Sequence, residues 1–123
     1  MRLEEFNRKY EYRADIIKFK RKEHWTIIEP DINGKYTGDC EDYALTLQDK
    51  VDGYSKIELW YCKLQGNGHC VGILNGQVID CNTKQLMDKD EYIKKYTITG
   101  LRKYWWLEIK LKILQAKIQR LFK

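Results

Sequence analysis

The sequence lacks the features that define several classes of protein. Its 123 residues contain a single proline, eight glycines and no low-complexity tract, which excludes collagen-like and linker-dominated chains. No run approaches the roughly 20 apolar residues that span a bilayer. The N-terminal residues also have no apolar stretch that can serve as a signal-peptide core. We therefore expect a cytoplasmic protein.

The cysteines are spaced too widely for the common metal-binding and redox motifs. They occupy positions 40, 62, 70 and 81, so the chain has no CxxC pair and gives no support to a zinc ribbon or a thioredoxin-type site. We expect four reduced thiols.

Apolar residues are frequent enough for a folded core. They make up 43% of the chain, and 13% of the residues are aromatic, whereas disordered chains are poor in both. The length suits one ordinary domain and is too short for two. We expect a single domain over residues 1–123, with its core at about 25–98 and a C-terminal helix at about 101–122.

Positive charge is concentrated in the C-terminal segment. Residues 101–123 contain seven Lys or Arg and one acid, Glu108, whereas the preceding 100 residues contain 16 bases and 17 acids. This distribution argues against a uniformly basic nucleic-acid-binding domain. Apolar residues recur in the segment at steps of three and four, as in an amphipathic helix: Tyr104, Leu107, Leu111, Leu114, Ile118 and Leu121.

We expect the two halves of this helix to make different contacts. The first half, around Trp105, Trp106 and Leu107, should pack on the domain. The second half combines basic and apolar residues, so it should contact a second copy of the chain, another protein or a membrane surface. The competing interpretation is that the whole stripe packs within the core.

The middle of the chain predicts an α+β fold. Short apolar runs broken by QGNG and by Asn75-Gly76 are typical of an antiparallel meander, and N-capping residues indicate two helix starts. The predicted elements are a helix from Asp39, strands at 57–63, 68–74 and 77–81, and a helix at 88–95.

The Asn75-Gly76 turn sets the register of a hairpin and brings a histidine close to an aspartate. A two-residue turn at this place pairs positions whose numbers sum to 151. Because side chains alternate along a strand, His69 and Asp80 then share one face as diagonal neighbours. A carboxylate in that position can orient an imidazole.

Cys40 is the cysteine best placed to act as a nucleophile beside that pair. It falls in the first turn of the predicted helix, where the backbone dipole favours a thiolate, whereas the other three cysteines lie inside apolar strands as core thiols. If this helix packs across the face that holds His69, a triad of Cys40, His69 and Asp80 results. The alternative for each residue alone is a structural role.

Three segments together resemble the bacterial transglutaminase-like cysteine proteinases, a papain-related group. They are GDCEDYALTL around Cys40, GHCVGIL around His69 and QVIDCNTK around Asp80. The resemblance implies a papain-like or transglutaminase-like fold, with the nucleophile helix packed on a small antiparallel sheet. It implies Cys40 as nucleophile, His69 as general base and acid, and Asp80 as the orienting carboxylate. It also implies that Trp25 offers its indole N–H to an oxyanion hole.

Three acids flank the proposed nucleophile. The resemblance implies that Asp39, Glu41 and Asp42 can hold a calcium ion, and a hard cation would offset the effect of three carboxylates on the pKa of the thiol. The alternative is that Asp39 and Asp42 only cap the helix. We expect no cofactor to be required for the chemistry itself.

These residues predict a cysteine-dependent hydrolase, either a peptidase or an amidase. It would attack an amide or acyl carbonyl of a protein or peptide-like substrate and form a thioester. If an amine resolves the thioester in place of water, the same site is a transglutaminase-type acyl transferase, and the sequence does not choose between them because the pocket decides the acceptor. A third hypothesis is a non-catalytic binding module that docks through the basic C-terminal helix.

Overall fold

A five-stranded antiparallel sheet with helices on both faces organises the fold. The computed structural model describes residues 1–13 and 25–121, with only the backbone for residues 119 and 120. The described residues form four helices and seven strands: α1 (Leu3–Lys9), β1 (Tyr10–Tyr12), β2 (Tyr36–Gly38), α2 (Cys40–Lys50), β3 (Glu58–Leu64), β4 (Asn67–Leu74), β5 (Gln77–Ile79), β6 (Met87–Asp88), α3 (Lys89–Tyr96), β7 (Ile98–Lys103) and α4 (Trp106–Leu121). The α+β class predicted from the sequence is confirmed.

The strands of the main sheet lie in the order β6-β5-β4-β3-β7, and every neighbouring pair is antiparallel. Asn75 and Gly76 join β4 to β5 and both have positive φ, 51° and 76°, as a two-residue hairpin turn requires. Gly72 pairs with Ile79, which is the predicted register. The predicted meander is therefore confirmed, and β6 and β7 extend it at its two edges. A separate small sheet pairs β1 with β2 in parallel.

The two faces of the main sheet are covered by different helices. Cys70 of β4 and Ile79 of β5 pack against α1 and α2 on one face, which we call the α2 face. Val71 and Val78, their neighbours in sequence, pack against Tyr92 of α3 on the opposite face, which we call the α3 face.

Helix α2 begins where the sequence predicts because a glycine and two aspartates shape its start. A Cβ at Gly38 would lie 2.8 Å from Asp42 Cβ and 2.9 Å from Ile28 Cδ1, so a larger residue would displace its neighbours. The Asp39 carboxylate accepts from Asp42 N at 3.3 Å, and the Asp42 carboxylate accepts from Asp39 N at 3.4 Å. This capping box makes Cys40 the first residue of the helix.

The C-terminal segment differs from the prediction at its start. Residues Ile98–Lys103 form β7 on the edge of β3, so α4 begins at Trp106 instead of at about residue 101. Lys103 Nζ lies 2.7 Å from Glu58 Oε2 across this strand pair. Cross-strand pairing therefore outweighs the helical periodicity of the same residues.

One side of α4 packs on the domain, but it is not the predicted side. Ile109 and Ile113 lie against the cluster on the α2 face, and Ala116 is buried. Trp105 and Trp106 are 75% and 68% exposed, so the prediction that they pack on the domain is wrong. Because β7 delays the start of the helix, the tryptophans fall at its exposed beginning and the residues one and two turns later face inward.

Candidate active site

The hairpin of β4 and β5 brings His69 and Asp80 together. His69 is the third residue of β4, and Asp80 directly follows β5. His69 Nε2 lies 2.8 Å from Asp80 Oδ2, and the two side chains are 8% and 2% exposed. The register of a two-residue turn thus delivers an imidazole and a carboxylate to one buried position on the α3 face.

Every side-chain oxygen of Asp80 is engaged. Oδ1 accepts from the backbone N–H groups of Asn82 and Thr83 at 2.9 Å and 2.7 Å. Oδ2 accepts from the hydroxyl of Tyr92 as well as from His69. Asp80 is therefore held from the strand end, from the following turn and from α3, and its position is fixed.

These hydrogen bonds decide the charge of Asp80. Burial alone would raise the pKa of this carboxyl, but the hydrogen bonds from His69, Tyr92 and the Thr83 backbone outweigh it and lower the pKa to about 2. Asp80 is therefore ionised at neutral pH, and it accepts a hydrogen bond from the Nε2–H group of His69. Nδ1 is then the ring nitrogen that carries the lone pair in the neutral imidazole.

Sequence reasoning did not identify Tyr92 as part of this site. The capping residues Asp88 and Glu91 do predict α3, and Asp88 accepts from Glu91 N at 3.2 Å. Tyr92 is one residue further along and is 2% exposed. No sequence signal says that its hydroxyl reaches a carboxylate twelve residues away, because that contact depends on how α3 crosses the sheet.

Cys40 lies on the other side of the hairpin. Its helix packs on the α2 face, so the expectation that this helix packs across the face holding His69 is wrong. The reason is that successive side chains of a strand point to opposite faces of the sheet. Cys70 and Cys81 directly follow His69 and Asp80 in sequence, so Cys70 and Cys81 point toward α2, and His69 and Asp80 point away from it. Within the described residues the partner of the Cys40 thiol is Glu41 Oε2 at 3.4 Å, and not His69.

The surroundings of Cys40 keep its thiol protonated. Burial raises the pKa of Cys40 first, followed by the negative charge of Glu41 and the proximity of Cys70. The position at the start of a helix predicts the opposite direction, and burial reverses it. Deprotonation of Cys40 therefore needs a base or a change in these surroundings.

The other three cysteines are core thiols, as the strand pattern predicts. Cys62, Cys70 and Cys81 are all buried, and all four cysteines of the chain are free. Burial raises the pKa of Cys62 to about 11 and that of Cys81 to about 12, and it raises the pKa of Cys70 further. Burial raises the pKa of all four thiols, and what distinguishes Cys40 is that it is only partly buried, whereas the other three are buried.

Trp25 places an unpaired hydrogen-bond donor beside α2. It is 2% exposed and packs in the same cluster as Ala44, and Cys40 packs against that cluster. Its indole Nε1 is the one buried side-chain nitrogen or oxygen of the described residues that has no hydrogen-bond partner. Such a donor costs free energy unless an acceptor reaches it.

The acids beside Cys40 do not fit a calcium site. Asp39 and Asp42 form the capping box described above, and Asp42 Oδ1 also accepts from Thr26 N at 2.9 Å. Glu41 accepts from the Cys40 thiol. Within residues 1–13 and 25–121, no group of three or more His, Cys, Asp or Glu side chains is arranged to hold a metal ion. The geometry favours the capping role for Asp39 and Asp42.

Comparison with known proteins adds no family to these observations. No protein-family model matches the sequence, and no curated protein matches it significantly. The family resemblance rests on the segments around Cys40, His69 and Asp80 alone.

Proposed function

We propose that this chain is a cysteine-dependent hydrolase of the papain-like, transglutaminase-like type, acting on an amide or acyl bond of a protein or peptide-like substrate. The observation that carries the proposal is the buried pair of His69 and Asp80. Its carboxylate is ionised and fixed, and its imidazole presents Nδ1 as the basic nitrogen.

The proposed reaction begins at Cys40 and uses His69 as its base. Proton transfer requires the Cys40 thiol to leave Glu41 and come within hydrogen-bond distance of His69 Nδ1, so α2 and the hairpin must shift from the arrangement in which the two side chains lie on opposite faces. Nδ1 accepts the thiol proton as Sγ bonds to the carbonyl carbon. The imidazolium then returns the proton to the leaving amine as the C–N bond breaks, which leaves a thioester.

Water completes the cycle. Nδ1 removes a proton from water as its oxygen bonds to the thioester carbon, and the C–S bond breaks to release the acid and restore the thiol. Asp80 stays ionised throughout and stabilises the imidazolium. Trp25 Nε1 donates to the oxyanion, which satisfies a hydrogen-bond donor that is otherwise unpaired.

An electrophilic acyl probe tests this assignment. Intact-mass measurement should show one acyl adduct on the wild-type chain, and peptide mapping should place it on Cys40. Cys40→Ala and His69→Ala should lose the adduct, whereas the matched controls Cys62→Ser and His24→Ala should keep it. Addition of an amine distinguishes the two acceptors, because a hydrolase releases the acid and an acyl transferase releases the amide. Equal labelling of a folded Cys40→Ala chain would overturn the proposal.

A further inference from the structure

Helix α4 is apolar on two opposite sides, and the described residues cover only one of them. Ile109, Ile113 and Ala116 face the domain. The opposite side carries what we call the leucine stripe, whose members recur at steps of four and three and are each at least 44% exposed: Leu107, Leu111, Leu114, Ile118 and Leu121. A helix that is apolar on both sides is normally buried on both, and a contiguous exposed apolar stripe marks an interaction surface.

Two tryptophans extend the stripe at its N-terminal end. Trp105 and Trp106 are the most exposed large aromatic side chains among the described residues of this segment. Lys110 Nζ lies 4.8 Å from the centre of the Trp106 ring. Tryptophan combines an apolar ring with an N–H donor and is therefore enriched where hydrocarbon meets polar headgroups.

Unpaired positive charge lies beside the stripe. Arg102 and Lys103 are paired with Glu108 and Glu58. Lys110 and Lys117 flank the stripe on one side, and neither forms an ion pair with an acid of the described residues. A surface with an apolar interior and negatively charged headgroups complements the leucine stripe and these two lysines.

A second copy of the chain complements it less well. In an antiparallel pair of stripes, Lys110 of each copy would face Lys117 of the other, so like charges would meet along the seam. An anionic lipid surface instead neutralises both lysines. The helix would lie along that surface, since no helix of the described residues is long and apolar enough to cross a membrane.

We propose that α4 docks this chain on an anionic lipid surface. The leucine stripe and Trp106 insert at the boundary between the lipid headgroups and the acyl chains, and Lys110 and Lys117 contact the headgroups. Sixteen helical residues give a contact about 24 Å long. This inference does not depend on the proposed hydrolase activity.

Co-sedimentation of the full chain with vesicles tests the proposal. The chain should bind vesicles that contain phosphatidylserine and should not bind vesicles of phosphatidylcholine alone, and added salt should weaken the binding. Lys110→Gln and Lys117→Gln should each lower the partition coefficient about fivefold, which is ~1 kcal/mol per basic residue. Leu111→Ser with Leu114→Ser should lower it at least tenfold.

A control variant and a measurement of self-association distinguish a lipid surface from a second copy of the chain as the partner of the leucine stripe. Ile32→Ser is the matched control, because Ile32 is 99% exposed in the turn before β2 and its replacement should leave binding unchanged. Sedimentation velocity without vesicles should show a monomer. The proposal is overturned if phosphatidylserine vesicles do not bind the chain. It is equally overturned if the chain is a dimer that Leu111→Ser with Leu114→Ser dissociates, because the stripe then belongs to a second copy.

Discussion

The two faces of the main sheet have opposite effects on the charge of their buried ionisable groups. On the α3 face, Asp80 is buried as an ion because four donors hold it. On the α2 face, Cys40 lies among apolar side chains and other thiols, where burial raises its pKa and keeps it neutral. One layer of hairpin backbone thus divides a polar, fully hydrogen-bonded half of the candidate site from an apolar half. The proposed base is therefore already held beside an ionised carboxylate, whereas the proposed nucleophile is still protonated and needs a change in its surroundings to react.

Of the changes considered, removal of the Asp80 carboxylate should lower the free energy of unfolding most. Asp80→Ala leaves His69, the Tyr92 hydroxyl and two backbone N–H groups without their buried acceptor, so we expect the free energy of unfolding to fall by about 4 kcal/mol. Urea denaturation measures it. Asp49→Ala is the matched control, because Asp49 is exposed on α2 and should change the free energy by less than about 0.5 kcal/mol. Equal effects of the two variants would show that the α3 face does not depend on its buried ion.

Loss of one donor should weaken the same face less. Tyr92→Phe removes a hydrogen bond to a charged group and keeps the ring, so we expect a loss of about 2 kcal/mol, whereas Tyr96→Phe should cost less than about 0.5 kcal/mol. Both are measured by urea denaturation near neutral pH.

The pH dependence of this variant sharpens the test. Because folding lowers the pKa of Asp80 to about 2, Asp80 stabilises the fold above its unfolded pKa near 4, and this stabilisation of about 2 kcal/mol is lost as the pH falls from about 4 to about 2. Tyr92→Phe raises the folded pKa toward the unfolded one, so its acid-dependent loss should be smaller than that of the wild type. An unchanged slope would contradict the hydrogen-bond network as the cause.

The α2 face should respond to a change that leaves the α3 face intact. Gly38→Ala places a Cβ 2.8 Å from Asp42 Cβ at the start of α2, and we expect the free energy of unfolding to fall by about 1–2 kcal/mol, measured by thermal or urea denaturation. Gly38 packs at the start of α2 and Tyr92 packs on the α3 face, so the effects of Gly38→Ala and Tyr92→Phe should add within about 0.5 kcal/mol in the double variant. A larger coupling would mean that the two faces do not behave independently.

The smallest effect concerns the thiol. Glu41 accepts from Cys40 and raises its pKa, so Glu41→Gln should increase the rate of Cys40 alkylation by iodoacetamide a few-fold near neutral pH. Asp49→Asn, on the same helix but at its exposed end, should leave the rate unchanged. A rate that falls in Glu41→Gln would indicate that Glu41 assists ionisation.

Local patterns of the sequence predict much of this fold. The Asn75-Gly76 turn predicts the register of β4 and β5, and Asp39 and Asp88 predict the starts of α2 and α3. The contact between His69 and Asp80 follows from that register alone. Each of these features depends on residues close together in the chain.

The failures involve contacts between distant elements. Helix α2 packs on the face of Cys70 and Cys81 together with Phe6 of α1, and the first turn of α2 does not encode these contacts. Residues 101–103 have a helical period but pair with β3, because the edge of the sheet offers backbone partners. Tyr92 was missed because its hydroxyl reaches Asp80 only through the crossing of α3 over the sheet.

The central proposal is that His69, on one face of the hairpin, accepts the proton of the Cys40 thiol from the other face. The most direct test is the pH dependence of Cys40 alkylation in the wild type, in His69→Ala and in the control His24→Ala. If His69 accepts the proton of the Cys40 thiol, the wild type and His24→Ala should be alkylated at lower pH than His69→Ala, whose thiol should react only at high pH because burial raises its pKa. Superimposable profiles for the wild type and a folded His69→Ala chain would contradict the claim.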